Sequence, residues 1–514
     1  MKDPAYEQSI LDFPAPEYVT GEVILGSTYR QLLVATHDAS IDLQGIANMP
    51  QTLSQVQGSP PEDVWRHVLL GVGGLASPQP SGRHGSPLPQ LMPLVPQIGN
   101  HACVLGRPRG RANPGNLVVT TLLAGHGCPA SGSFDHLVEE LRDALMVQPN
   151  DDAFGRFVEA HLSSMSGAIP TRPQGISPES SKYVAAYGTG YLGYSPPAAQ
   201  FRDDLRRILL LKGVLTRRQW TILVETFLRL GIGMHLLWAC RANDEIWKMS
   251  LDVARGEGVP TTEVIRQKIW TDPTTTDPLL EVGRPAGPAI RRRLGRYAAG
   301  RIGLNLLLGE LRSRGYPLAK PIGLKPPPGE GPWTSVWEML THLQSNIGNL
   351  PPNPADWLQQ EVGGLTSTPR GLLEGTAGFN RNMNFFLIYG LGQLTPFDPA
   401  FTGYDQSYTL AKKVGAEGEE GRSSTKGRRD ASPWVVRFGP SALIGLVHSC
   451  CRSRPGYAAS IDDFRLHLAQ YGLLADFSEL ESGQLASDLK RLGLTVESPD
   501  AAGGRLLQDP FPDV

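Results

Sequence analysis

The chain has 514 residues, 40% of them hydrophobic and 19% charged, which excludes a chain disordered throughout and supplies apolar material for about two to four domains. A formal net charge of −2 excludes any whole-chain affinity for polyanions. Cys103, Cys128, Cys240, Cys450 and Cys451 are too few and too scattered for a disulfide framework, and the opening Met1-Lys-Asp-Pro-Ala-Tyr-Glu7 carries no apolar signal sequence, so a reducing cytoplasm is the expected compartment.

Gly and Pro together make 102 residues, so many loops must separate fairly short elements. Residues 1–97 read as an irregular, β-containing or small α/β region. Short apolar runs at 18–25 and 32–35 alternate with polar turns, a helix is expected over 62–75, and a Pro/Gly/Ser-rich connection runs from 76 to 97. Residues 98–175 read as a small α+β region, with strands at 102–105 and 117–123 and amphipathic helices at 134–146 and 154–165. A helical core is expected over 176–325. Gln200 to Lys212 is amphipathic, Thr216 caps a long apolar helix through Trp238 that Asn243 to Arg255 extends, and another helix runs from Pro288 to about Arg314. The window from Trp220 to Trp238 carries Glu225, Arg229 and His235, which reads as a core helix and not a membrane span. Residues 326–435 alternate helix and loop, and 411–430 has almost nothing to bury, which predicts a mobile loop.

Residues 436–514 read as three helices and a two-stranded wing. Pro440 suits the first turn of one helix, Ser460 caps the second, which Gly472 ends, and a third runs from about Glu481 to Gly493. Two strands then flank a Ser-Pro-Asp-Ala-Ala-Gly-Gly turn. The fold class is therefore mainly α and multi-domain, with a small α/β or β-containing N-terminal part and a C-terminal winged helix.

Few residues offer chemistry. His101, Cys103, His126 and Cys128 form two His-x-Cys pairs that a hairpin could bring together as four ligands for tetrahedral zinc, although the spacing departs from the common structural patterns. No other cofactor is indicated. Gly188-Thr-Gly190-Tyr-Leu-Gly193 matches a dinucleotide string, but the following Ser-Pro-Pro is expected to block the helix that such a site requires. Cys450 and Cys451, near His448, read as core packing of their helix.

From Arg284 to Arg314 there are eight Arg and one Glu. Arg291, Arg292, Arg293 and Arg296 cluster opposite Ile290, Leu294 and Tyr297, a pattern that suits a phosphate-tracking face and equally suits a solvated face paired with acidic segments such as 135–159. Arg202, Arg206, Arg207, Arg217 and Arg218 would add positive charge if they lie nearby. From Ser460 to Val514 there are ten Asp and Glu against four Lys and Arg, so the tail is expected to be acidic, with Gln484, Ser487, Asp488, Lys490 and Arg491 exposed on its third helix. Such a surface suits a protein partner better than nucleic acid.

The closing stretch Leu489-Lys-Arg-Leu-Gly-Leu-Thr-Val-Glu-Ser-Pro-Asp-Ala-Ala-Gly-Gly-Arg-Leu-Leu-Gln-Asp-Pro-Phe511 resembles the winged-helix ends of large proteins from bacterial anti-phage defence operons, over less than a tenth of the chain. The resemblance implies a cytoplasmic subunit of a multi-protein defence complex acting with nuclease, methyltransferase or ATPase partners, and it transfers no site residue. The reading is a non-enzymatic adaptor or nucleic-acid-associated subunit, with protein partners, DNA or RNA as a further partner, and no membrane. The alternative is a metal-dependent nuclease or hydrolase built on the His/Cys quartet.

Overall fold

The structure, a computed structural model, describes residues 117–118, 121–122, 124–125, 136–145, 195–270, 277–313, 333–367, 383–384, 386–388, 390–392, 407–412, 434–454, 456, 459–496 and 505–513. The described part is mostly helical. Its helices are α1 (His136–Leu145), α2 (Pro196–Leu210), α3 (Arg217–Ala254), α4 (Thr262–Ile269), α5 (Ala286–Ser313), α6 (Trp333–Ser345), α7 (Pro354–Ser367), α8 (Pro440–Arg452), α9 (Ile461–Gln470), α10 (Phe477–Glu481) and α11 (Gln484–Arg491). Its strands are β1 (Leu280–Glu281), β2 (Leu410–Lys412), β3 (Trp434–Val436), β4 (Ala459–Ser460), β5 (Leu473–Leu474), β6 (Thr495–Val496) and β7 (Leu506–Leu507). The N-terminal region 1–97, the helices expected at 62–75 and 154–165, and the strand at 102–105 lie outside the described residues.

Large apolar side chains surround α3 on all sides, so the helix must be buried on all sides. Trp220, Phe227 and Trp238 are buried completely, and helices α2, α5, α6 and α8 pack around it. Each such side chain contributes roughly 1.5–3 kcal/mol by leaving water. By length and composition α3 is apolar enough to cross a membrane, yet nearly all of it is buried inside the protein. Its start is local chemistry: Thr216 Oγ1 accepts from the Gln219 backbone N–H while Gln219 reaches back, a capping box. Where α5 crosses α3, Gly303 lets the Trp247 ring approach until an added Cβ would lie 2.4 Å from it.

The structure departs from the sequence expectation over the stretch from Leu117. The Leu117–Leu123 run suits a strand because it is rich in β-branched residues. At 117, 118, 121, 122, 124 and 125 it is helical. Leu117, Val118, Thr121, Leu122 and Ala124 are buried at helical spacing, and Thr121 Oγ1 donates to the Leu117 carbonyl at 2.6 Å, so packing overrides propensity. The Gly188–Gly193 string lies outside the described residues; after it, Ser195 is extended and a helix begins only at Pro196. Ser195 caps α2, and Pro196 and Pro197 occupy the first turn, where a missing N–H costs nothing. Of the stretch 411–430, Ala411 and Lys412 belong to β2, paired antiparallel with Val435 and Trp434, and 413–430 lies outside the described residues.

The C-terminal elements run α8, β4, α9, β5, α10, α11, β6, β7, and their three-stranded sheet has the order β4–β7–β6, antiparallel throughout. The third helix begins at Gln484, after the separate short helix α10, and not at Glu481. Ser460 caps α9 in a capping box with Asp463.

These elements are sewn into the helical core. Helix α8 packs on α2 and α3 with most of its side chains buried, and β5 pairs in parallel with β1, Leu473 opposite Leu280. Gly472 has φ +80°, and an added Cβ would lie 2.6 Å from Leu279, so a side chain is excluded twice over. One continuous apolar core runs from Leu117 to Leu507.

Candidate nucleic-acid interface

Helix α5 buries Ile290, Leu294, Tyr297, Ile302, Leu307 and Leu311, a stripe that fixes its rotation against the core. Arg293 stands three residues after Ile290 and one before Leu294, so it turns inward and is only 4% exposed. Its fork donates to both Asp277 carboxylate oxygens, at 3.0 and 2.9 Å, and to the Pro278 carbonyl at 2.6 Å. Arg293 therefore fastens the segment before β1 to α5, a correction to its place on the outward cationic face. The planar fork is what allows one side chain to hold a carboxylate and a carbonyl together.

Arg291, Arg292 and Arg296 do face solvent. Arg292 lies 3.9 Å from Asp277 and Arg296 lies 3.7 Å from Asp244, with side chains 55% and 50% exposed. Asp244 is held more closely by Lys248, at 2.8 Å. Exposed pairs this long contribute about 0–1 kcal/mol, too little to keep a guanidinium from a phosphate. The surface is thus three outward guanidiniums on a rigid helix, interspersed with Asp244, Glu245 and Asp277.

Three of the five arginines around α2 serve the core. Arg202 is buried, Arg207 donates to Asp204 at 2.8 Å, and Arg217 donates to the Leu145 carbonyl at 2.8 Å. Lys212 donates to the neighbouring Ala144 carbonyl, so two cations satisfy the C-terminal carbonyls of α1.

Part of the tail's acidity is turned inward, while Asp462, Asp476, Glu481 and Asp513 are exposed. Asp488 is buried, not exposed. It accepts the Arg437 fork (3.2 Å to each oxygen) and further bonds from Gln484 and Arg491. Asp509 is buried between His448 Nδ1 and Arg452 Nε, at 2.7 Å each. Asp463 completes the capping box of α9 and pairs with Arg454, and the Ser460 backbone N–H that donates to its carboxylate holds that group below the usual range. The outward face of α11 is left with Gln484, Ser487, Lys490 and Arg491, which is neutral to cationic.

The zinc candidates His101, Cys103, His126 and Cys128 lie outside the described residues, as does Gly188-Thr-Gly190-Tyr-Leu-Gly193. Cys240, Cys450 and Cys451 are buried free thiols, and burial pushes all three upward, Cys240 and Cys451 to about 12. Such thiols pack; they do not attack. Burial lowers His448, although its bond to Asp509 opposes the shift.

Sequence reading missed a buried polar junction. Asp204, on α2, is fully buried and accepts from Gln200, Arg207 and the Tyr471 hydroxyl at 2.8 Å each. His467 Nε2 lies 2.9 Å away and must carry the proton, since a carboxylate oxygen only accepts. The signal was present: Asp204 lies on the apolar stripe of Phe201, Leu205 and Ile208, where an unpaired carboxylate would be costly.

No family model, no curated protein and no solved structure matches this chain.

Proposed function

We propose that the chain is a non-enzymatic, cytoplasmic adaptor or nucleic-acid-associated subunit of a multi-protein bacterial complex. The observation that carries this reading is the outward set Arg291, Arg292 and Arg296 on α5, held in place by the buried Arg293. A helix fixed on its apolar side presents these guanidiniums without further ordering, which favours phosphate contact. The element order of 436–514, with its β4–β7–β6 sheet, supports reading that part as a winged helix, and its likeness to the ends of anti-phage defence proteins supports a subunit role there. Lys490 and Arg491 lie on the outward face of α11, while Asp462, Asp476, Glu481 and Asp513 remain exposed on the same tail, which favours a protein partner there.

Binding of a labelled 30-base-pair DNA and of the matching RNA, titrated from low to physiological salt, tests the reading. Removing one phosphate-binding guanidinium should reduce the salt slope by about one. Combined charge reversal at Arg291, Arg292 and Arg296 is expected to weaken binding by at least tenfold, with the slope reduced by two or three. Binding absent at low salt, or unaffected by the reversal, removes α5 as a nucleic-acid surface and leaves a protein-binding adaptor.

A further inference from the structure

A cavity of about 390 Å³ lies where the segment after β1, the β2–β3 hairpin, α8 and the α10–α11 pair meet. Its volume falls within the range of small-molecule sites, about 300–1,000 Å³. Val282, Pro285, Val436, Phe438, Leu443 and Leu485 form walls that are mostly apolar. The polar groups on the lining are unequal. Arg437, Asp488 and Gln484 are committed to one another, with the Arg437 fork closed on Asp488 and Gln484 donating to the same carboxylate. Glu479 has no such partner. Among the described residues its carboxylate meets neither a hydrogen-bond donor nor a cation, and Oε2 is shut away from solvent.

The backbone makes room for this carboxylate. A Cβ at Gly283 would lie 2.5 Å from Oε1, and one at Gly483 would lie 2.6 Å from Oε2. Gly283 also has φ +76°, a conformation that disfavours any side chain. Two glycines thus recess an unmatched carboxylate into the wall of an apolar chamber. A half-buried carboxylate without a counter-charge is costly, and a cation in the chamber would offset that cost.

We infer that this cavity binds a compact amphipathic cation, an ammonium or guanidinium group on an apolar body, with Glu479 as its counter-charge and the apolar walls enclosing the body. The inference does not depend on the nucleic-acid reading of α5. The full chain would be titrated by calorimetry with 2-phenylethylammonium, the neutral isostere 2-phenylethanol and the anion 3-phenylpropionate. Saturable binding of the ammonium is expected, at least tenfold tighter than the alcohol, with the carboxylate weakest. Glu479→Gln, nearly isosteric, should bring ammonium and alcohol within about threefold of each other. Absent ammonium binding, or equal affinity for ammonium and alcohol in the unaltered chain, overturns the inference whether or not the variant folds. A folded Glu479→Gln protein that keeps the tenfold preference overturns it as well.

Discussion

Replacing Asp204 by Ala tests whether the buried junction between α2 and α9 holds the C-terminal elements on the helical core. Asp204 is completely buried, and its two oxygens accept from Gln200, Arg207, His467 and Tyr471. Truncation removes every acceptor at once. Arg207 is 24% exposed and can turn to water, whereas the Tyr471 hydroxyl and the His467 N–H stay behind as buried donors. Each stranded donor costs about 1–3 kcal/mol, so Asp204→Ala should destabilise the chain by about 3–5 kcal/mol. Tyr471→Phe alone leaves Asp204 with three donors and should cost about 1 kcal/mol. In the Asp204→Ala background the same change removes an orphaned hydroxyl, so it should be neutral or stabilising. Urea unfolding of the four proteins, followed by tryptophan fluorescence at constant slope, gives the coupling. A loss below 1 kcal/mol for Asp204→Ala, or an equal cost of Tyr471→Phe in both backgrounds, would refute the junction as a stabilising unit.

Arg293→Ala should cost about 2–3 kcal/mol, since it strands the Pro278 carbonyl and frees Asp277, while Arg291→Ala should change stability by less than about 0.5 kcal/mol. Equal thermal midpoints for the two variants would contradict the division of α5 into an anchoring and an outward set. His235 stacks on Trp238, bonds Ser195 through Nδ1, and is pushed by burial down to about 4. The unfolded imidazole titrates near 6.5, so its contribution is complete above that pH and is lost as pH falls from about 6.5 towards 4, by about 3 kcal/mol at most. His235→Gln should flatten that part of the stability–pH curve relative to the unaltered chain, and parallel curves would disprove the buried neutral imidazole.

Local chemistry made several elements legible. Thr216 and Ser460 each offer a side-chain oxygen three residues before a backbone N–H, and both caps form. Wherever short-range chemistry was ambiguous, reading failed. Leu117–Leu123 suits a strand by residue type and a helix by the spacing of what becomes buried.

The candidate surfaces divide in the same way. An arginine cluster over 291–296 is evident from residue order, but which member turns inward depends on how α5 is rotated by its packing against α3 and on Asp277 arriving from another segment. Counting carboxylates leaves Asp462, Asp476, Glu481 and Asp513 on the surface, but a count cannot tell them from an Asp held by an arginine far away in sequence. Asp488 meets Arg437 and Asp509 meets His448 and Arg452 only after the chain closes on itself. The cavity with Glu479 had no sequence signal, since its walls come from separated segments brought together by β-pairing and by two glycines.

What the sequence by itself determined is the mainly helical character, the burial of α3 and the capped starts at Thr216 and Ser460, because periodicity and capping act over a few residues. The direction of each charged side chain, the joining of the C-terminal elements to the core through Asp204, and the unmatched carboxylate at Glu479 were decided by tertiary structure alone. Burial and long-range pairing determine whether a charge faces water or a partner, and neither is a property of a segment on its own.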